Sequence, residues 1–274
     1  MTHIAHLSDL HLLEAKHGAR RGLSRRRLAY LSAGRPHDAA DRRRRALGAL
    51  LAARRSGADH VLVTGDLTED GIDEQYEVLA EVLHESGLSP TSVTLIAGNH
   101  DVYASRDAFA RALEGPLAAY AETSTPGVPV VLRDLSVLPV STAMPQPYHF
   151  SAGSIERPAI ESTAAFARDS KRGGRALVVA MHHPPKRRAN PVMQWFDGFR
   201  DHVAVQVILE AHDHVHVLHG HTHEVSDHGV RPGATPRIFG TDAVVTCEAP
   251  VRYYEASHGR LVPASGVATP KRAA

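Results

Sequence analysis

Residues 61–71 read VLVTGDLTEDG, and residues 95–103 read LIAGNHDVY. Each is an apolar, β-branched run that breaks at a glycine and passes into a polar cluster. That pattern describes a buried strand whose carboxyl end opens into a turn carrying function. It occurs three more times: residues 4–8 lead into Asp9-Leu10-His11, residues 176–181 into His182-His183-Pro184-Pro185, and residues 215–218 into Gly220-His221-Thr222-His223.

Helices are expected between these strands. Tyr76, Leu79, Ala80 and Leu83 recur at helical spacing within 73–86, and Gly87 closes that helix. Asp41 caps a helix to about Arg55, with Ala46, Leu47, Leu50 and Leu51 on one face and Gly57 as its stop. Residues 105–113 and 162–172 are read as helical, and 203–211 as helix or loop. Strands are expected at 60–64 and 92–97, a pair within 128–141, and an antiparallel pair at 238–245 and 251–255. Residues 14–41 read as a basic, loop-like insertion with a helical turn at 24–32, and the tail from about 264 as frayed.

The strand, polar turn, helix order of the first half predicts an α/β layered fold with ligands at strand carboxyl ends. The later strands lack intervening helices, so a second, mixed sheet is expected. With no internal repeat or linker, residues 1–274 read as one domain.

Composition bounds the function. The chain has 274 residues and a formal net charge of +1, so the whole molecule is not a polycation, and nucleic acid is a possible but not the favoured partner. Its arginines nevertheless cluster: twelve lie between Lys16 and Arg55, against only Asp38 and Asp41. The plain reading is a solvated basic face; the functional one is a phosphate-attracting rim. No apolar run could span a bilayer, and the N-terminus has no secretory pattern. Cys247 is the only cysteine, which suits a cytoplasmic setting.

The five polar clusters supply carboxylate, imidazole and amide oxygen but no thiolate. That chemistry suits manganese, iron or zinc ions at a reactive site and not a structural zinc. Asp9, His11, Asp66, Asn99, His182, His221 and His223 are too many ligands for one ion and suit two. Residues one apart, as in Asp9/His11 and His221/His223, can face the same side of an extended segment.

DLH, GDL, GNHD, HH and GHTH, in this order over roughly residues 4–224, resemble the calcineurin-like metallophosphoesterases. The two opening stretches look most like the bacterial cyclic-nucleotide and glycerophosphodiester phosphodiesterase branch. The resemblance implies a four-layer αββα sandwich of two mixed sheets, with the metal site at strand carboxyl ends. It also implies that Asp9, His11 and His223 hold one metal, that Asn99, His182 and His221 hold the second, and that Asp66 bridges both. A hydroxide between the metals would attack phosphorus, and His100 would serve the leaving oxygen as the catalytic residue. Relatives often carry Asp three residues after the bridging Asp. Here that position is Glu69, which puts the partner of His100 in doubt.

Around this set, Glu69, Asp101 and His183 are candidates for hydrogen bonding behind the ligands, and Tyr103 for substrate contact. Asp101 reads better as an acceptor of backbone N–H groups than as a ligand. His3, His6 and His60 read as packing or surface residues, and His212, His214, His216 and His219 as non-ligands. The implied partner is a small phosphodiester. A phosphomonoesterase, a nuclease or a non-catalytic scaffold are the alternatives, and self-association is left open.

Overall fold

The computed structural model describes residues 1–264. The expected frayed tail therefore lies, but for residue 264, outside the described residues.

The apolar runs form strands flanked by helices on both sides. The strands are β1 (Thr2–Leu7), β2 (His60–Thr64), β3 (Val93–Ile96), β4 (Val130–Val131), β5 (Leu135–Pro139), β6 (Ala176–Ala180), β7 (Val215–His219), β8 (Ser226–His228), β9 (Ile238–Gly240), β10 (Arg252–Ser257) and β11 (Arg260–Pro263). The helices are α1 (Gly22–Leu31), α2 (Ala39–Arg55), α3 (Asp73–Ser86), α4 (Ala108–Glu114), α5 (Ala121–Ser124), α6 (Arg157–Arg172), α7 (Pro191–Asp197) and α8 (His202–Ala211). One sheet has the order β11-β10-β1-β2-β3, the other β4-β5-β6-β7-β9-β8. Both mix parallel and antiparallel pairs.

Alternation along the strands explains the layering. In β1 and β2, Ala5, Leu7, Val61 and Val63 face a core built with α2, α3 and α4, through Leu50, Leu79 and Phe109. Ile4 and Leu62 face the opposite way, into an inter-sheet layer with Val178, Leu218 and Phe239. The second sheet covers its other face with α6 and α8, through Val179, Val217, Ala167 and Leu209. The result is the expected αββα sandwich.

Several expectations are corrected. Residues 22–31 form a full helix, not a turn, because Leu28 and Leu31 bury against the body. The cap of α2 is Asp38, whose side chain accepts from the amide of Ala40, so Asp41 falls in the first turn. The helix at 162–172 starts earlier, at Arg157, with Pro158 in its first turn, where a missing N–H costs nothing. The late strands do not pair with each other: β9 runs parallel to β7, while β10 runs antiparallel to β1 in the other sheet. Each joins a different sheet as its next-to-last strand, and that long-range choice leaves no local mark.

His6, His60 and His216 are fully or nearly buried between the sheets. His60 Nε2 hydrogen-bonds Thr94 Oγ1 at 2.8 Å, and His6 Nε2 bonds Thr64 Oγ1 at 2.8 Å. Burial holds His60 and His216 down at about 4, against an ordinary 6.5. A folded-state pKa below the unfolded one stabilises the fold above the unfolded value, and that stability is lost as pH falls. Each residue should therefore withdraw up to about 3 kcal/mol between its unfolded and folded pKa. The urea midpoint should fall steeply from pH 6.5 towards about 4, and His60→Gln should flatten the decline. A profile identical in the variant would remove His60 from the account.

Candidate metal centre

The loops after β1, β2, β3, β6 and β7 meet in one pit. Asp66 stands at its middle: its Oδ2 lies 3.4 Å from His182 Nε2, 3.7 Å from His11 Nε2 and 3.9 Å from His100 Nε2. Asp9 Oδ1 lies 3.2 Å from His223 Nε2 and 3.8 Å from His11 Nε2. Ligand atoms of Asp9, His11 and His223 come within 4.8 Å of one another, as do those of Asp9, Asp66 and His182, and those of His182, His183 and His221. The structure thus brings together the sequence-selected residues of all five clusters.

Backbone conformation is the strongest local signature. Asp9, His11, Asp66, His221 and His223 have φ of 57°, 47°, 48°, 68° and 53°; His258 is the one other non-glycine with positive φ among the described residues. The extended geometry expected for Asp9/His11 and His221/His223 is therefore wrong, since each of the four sits in the left-handed region. Such conformations cost of order 1–3 kcal/mol each and persist only where surroundings enforce them. Here the loops after β1 and β2 continue to pair: the amides of Asp9, His11 and Leu12 donate to the carbonyls of Gly65, Asp66 and Leu67 at 3.0, 2.9 and 3.1 Å.

Two glycines serve close approach instead of turning. Neither Gly98 nor Gly220 has positive φ. A Cβ at Gly98 would collide with Asp66 Oδ1 and its amide nitrogen, and one at Gly220 with Ser8 Oγ and Asp9 Oδ2.

The donor atoms are aimed and left unpaired. His182 Nδ1 donates to Thr64 O at 2.8 Å, which turns Nε2 into the pit. His221 Nε2 donates to Asp197 O at 2.9 Å, leaving Nδ1 free. Asn99 Nδ2 donates to the Tyr103 hydroxyl at 2.8 Å, which fixes the amide and leaves Oδ1 facing no donor. Asp9 Oδ1, both ring nitrogens of His11, Asn99 Oδ1 and His182 Nε2 are buried without a hydrogen-bond partner. Buried polar atoms are rarely abandoned, and Asp9, His11 and His182 belong to groups that could hold metal ions. The donor set of carboxylate, imidazole and amide fits a pair of divalent or transition ions.

His183, although close enough to join them, has both nitrogens engaged, Nδ1 with Thr142 Oγ1 at 2.8 Å and Nε2 with Ser151 O at 2.9 Å. Asp101 accepts from the amides of Leu67, Thr68 and Gly98 at 3.1, 2.9 and 2.8 Å, which ties the loop after β2 to that after β3. Tyr103 donates to Phe150 O at 2.6 Å while holding Asn99, so its hydroxyl is already committed. His214 Nε2 bonds Ser170 Oγ, His216 Nε2 bonds the Leu261 amide and His219 Nδ1 bonds Gly220 O.

Electrostatics match the geometry. Burial is the largest influence on Asp9 and works against its ionised form, yet His223 and His182 together hold the carboxyl at about 2. Burial likewise disfavours charged His182, but Asp66, joined by Asp9 and the Thr64 carbonyl, lifts the ring to about 9. Burial keeps His221 neutral, down at about 3. A cation bound at His182 would displace the proton held there.

Glu69 does not orient His100 through its side chain. His100 Nδ1 donates to the Glu69 backbone carbonyl at 2.6 Å. The Glu69 carboxylate faces His11 Nδ1 at 3.5 Å and is gripped by Arg42 and by Arg35, the latter at 3.1 Å. Arg42, fully buried, also donates to His11 O at 2.7 Å. Arg20 and Arg27 bond Asp70, both at 2.7 Å. Arg20, Arg27, Arg35 and Arg42 are thus neither a solvated face nor a free rim, while Arg21, Arg25, Arg26, Arg44, Arg54 and Arg55 are exposed as the plain reading expects. Those first four form an ion-paired brace behind the pit, a role that spacing does not signal. The charge of Arg35 is felt by His11, His223 and Tyr103.

The sequence profile of the calcineurin-like phosphoesterases matches residues 2–225. Among solved structures, a dimetal phosphatase from Danio rerio superposes with a TM-score of 0.68 at 14% identity, covering 96% of this chain and 95% of that one. A protein of Thermus thermophilus, TT1561, gives 0.53 at 12%, covering 96% and 98%. At these identities the structures speak for the fold alone. No curated protein sequence gives a significant match.

Proposed function

The chain belongs to the calcineurin-like phosphoesterase family, and from that premise we propose that it is a metal-dependent phosphodiesterase acting on small phosphodiesters. The observation that carries this reading is the cluster of buried, unpartnered ligand atoms around Asp66. We assign Asp9, His11 and His223 to one ion, Asn99, His182 and His221 to a second, and Asp66 to both. The dimetal description of the Danio rerio neighbour agrees with two ions.

When bound, the ions supply Lewis-acid charge to the phosphoryl oxygens and acidify water. The chain's own residues do the remaining work. Arg35 and Arg42 hold the Glu69 carboxylate behind His11. His100 has its Nδ1 proton committed to Glu69 O, so Nε2 is the atom that meets the leaving oxygen. Asp197 O and Thr64 O hold His221 and His182 in the tautomers the site needs. Tyr103 holds Asn99.

The diester preference rests on the likeness of residues 61–71 and 95–103 to the cyclic-nucleotide and glycerophosphodiester branch. The same site serves monoesters, and the word phosphatase in the neighbour's description favours that second reading. We read residues 1–274 as one domain. No helix among the described residues is long and apolar enough to cross a membrane, and we place the enzyme in the cytoplasm.

Manganese-loaded protein should hydrolyse bis(p-nitrophenyl) phosphate faster than p-nitrophenyl phosphate. A chelator should abolish turnover, and manganese should restore it. Faster monoester turnover would overturn the diester assignment, and no metal-dependent turnover of either ester would overturn the enzyme.

A further inference from the structure

Resting on the phosphoesterase reading, we infer that an aromatic shelf beside the pit binds a planar ring carried on the substrate's phosphate. Phe150 packs against Trp195 and Phe196 at centroid distances of 4.8 and 4.9 Å. His149 lies 4.4 Å from Phe150 and 6.1 Å from Tyr148, and Tyr148 meets Tyr30 of α1 at 5.4 Å. The chain is poor in phenylalanine, tryptophan and tyrosine, at 5% of residues, yet it gathers five of them with His149 outside its three hydrophobic clusters. Trp195 is 56% exposed and Tyr30 55%. Core packing does not account for them, and an exposed apolar patch of this kind marks a binding surface.

The shelf is bolted to the pit through backbone atoms. Phe150 O accepts from Tyr103, which holds Asn99. Ser151 O bonds His183, and Asp197 O, two residues beyond Trp195, bonds His221. The Tyr103 ring stands 5.2 Å from His100. A phosphate seated among the candidate ligands therefore has its ester substituent beside these rings. Aromatic faces favour a flat π partner over an alkyl chain, and stacking of this kind tolerates any base. The occupant is a planar ring, whether nucleobase or aryl.

Trp195 is the only tryptophan, so its fluorescence reports the shelf directly and without turnover. Chelator-treated protein is titrated with AMP, phenyl phosphate, glycerol 2-phosphate and inorganic phosphate. AMP or phenyl phosphate should quench saturably, the pair separating nucleobase from aryl as the preferred ring. Equal quenching by the ring-free phosphates, or none by the ring-bearing ones, would overturn the shelf. In the metal-loaded enzyme, Trp195→Ala should raise KM for bis(p-nitrophenyl) phosphate about tenfold with little change in kcat. KM for glycerol 3-phosphoethanolamine should stay within about twofold, and Trp195→Phe should restore most of the loss. An equal KM rise for the ring-free diester would mean that Trp195 only supports α7. Absence of turnover of every ester by the wild type would defeat the phosphoesterase reading, with the fluorescence titration still deciding the shelf.

Discussion

Asp66→Asn should lower turnover of bis(p-nitrophenyl) phosphate by about a thousandfold or more, since a shared ligand supports several kcal/mol of charge stabilisation. Asparagine is chosen because it keeps the shape and tolerates the left-handed φ of 48° at this position. Its amide oxygen can still accept from the His100 amide, as Asp66 Oδ1 does at 2.9 Å. What changes is Oδ2, the atom that faces His11, His100 and His182 at 3.4 to 3.9 Å. An NH2 group there offers cations no lone pair and removes the charge that keeps His182 protonated up to about 9. Metal content by elemental analysis should drop from two ions towards one or none. The urea midpoint should change little, because the hydrogen bonds that shape the loop remain. Full activity with two ions still bound would disprove a shared carboxylate at this position.

His100→Asn should lower kcat by roughly 10²- to 10⁴-fold, the range for loss of a positioned proton donor. Metal content should not change, and that separates this variant from Asp66→Asn. The reasoning is geometric: Nδ1 is tied to Glu69 O at 2.6 Å, and Nε2 faces the pit 3.9 Å from Asp66. A residue serving the leaving oxygen matters most when that oxygen is basic. The loss should therefore be largest for alkyl esters and smaller for p-nitrophenyl esters, whose leaving group needs little protonation. A loss of equal size across leaving groups, accompanied by lost metal, would make His100 a structural support of the centre.

Much of this architecture was legible because strand ends announce themselves. A buried run such as residues 60–64 has few ways to end, and Gly65-Asp66 is a costly ending unless it does something. The same logic brought out Asp9, His182 and His221. The choice of His182 over His183 rested on likeness alone until hydrogen bonds were visible, because adjacent imidazoles look the same in a string of letters. Part of the basic segment was illegible for a related reason. Twelve arginines between residues 16 and 55 read as a solvated face or a phosphate-attracting rim, but Arg42 is fully buried and paired with Glu69, a partner 27 positions away. Charge clusters carry no label saying which carboxylate will meet them.

Local patterning was enough to determine the strands, most of the helices and the residue types gathered at strand ends, since burial periodicity and turn chemistry act over a few residues. Only the tertiary structure decided which sheet β9 and β10 join, which ring nitrogens face the pit and which backbones are forced left-handed. Those outcomes depend on atoms brought together from distant parts of the chain, such as Asp9 with His221 across 212 positions. No short-range preference encodes a meeting at that distance; packing of the two sheets imposes it.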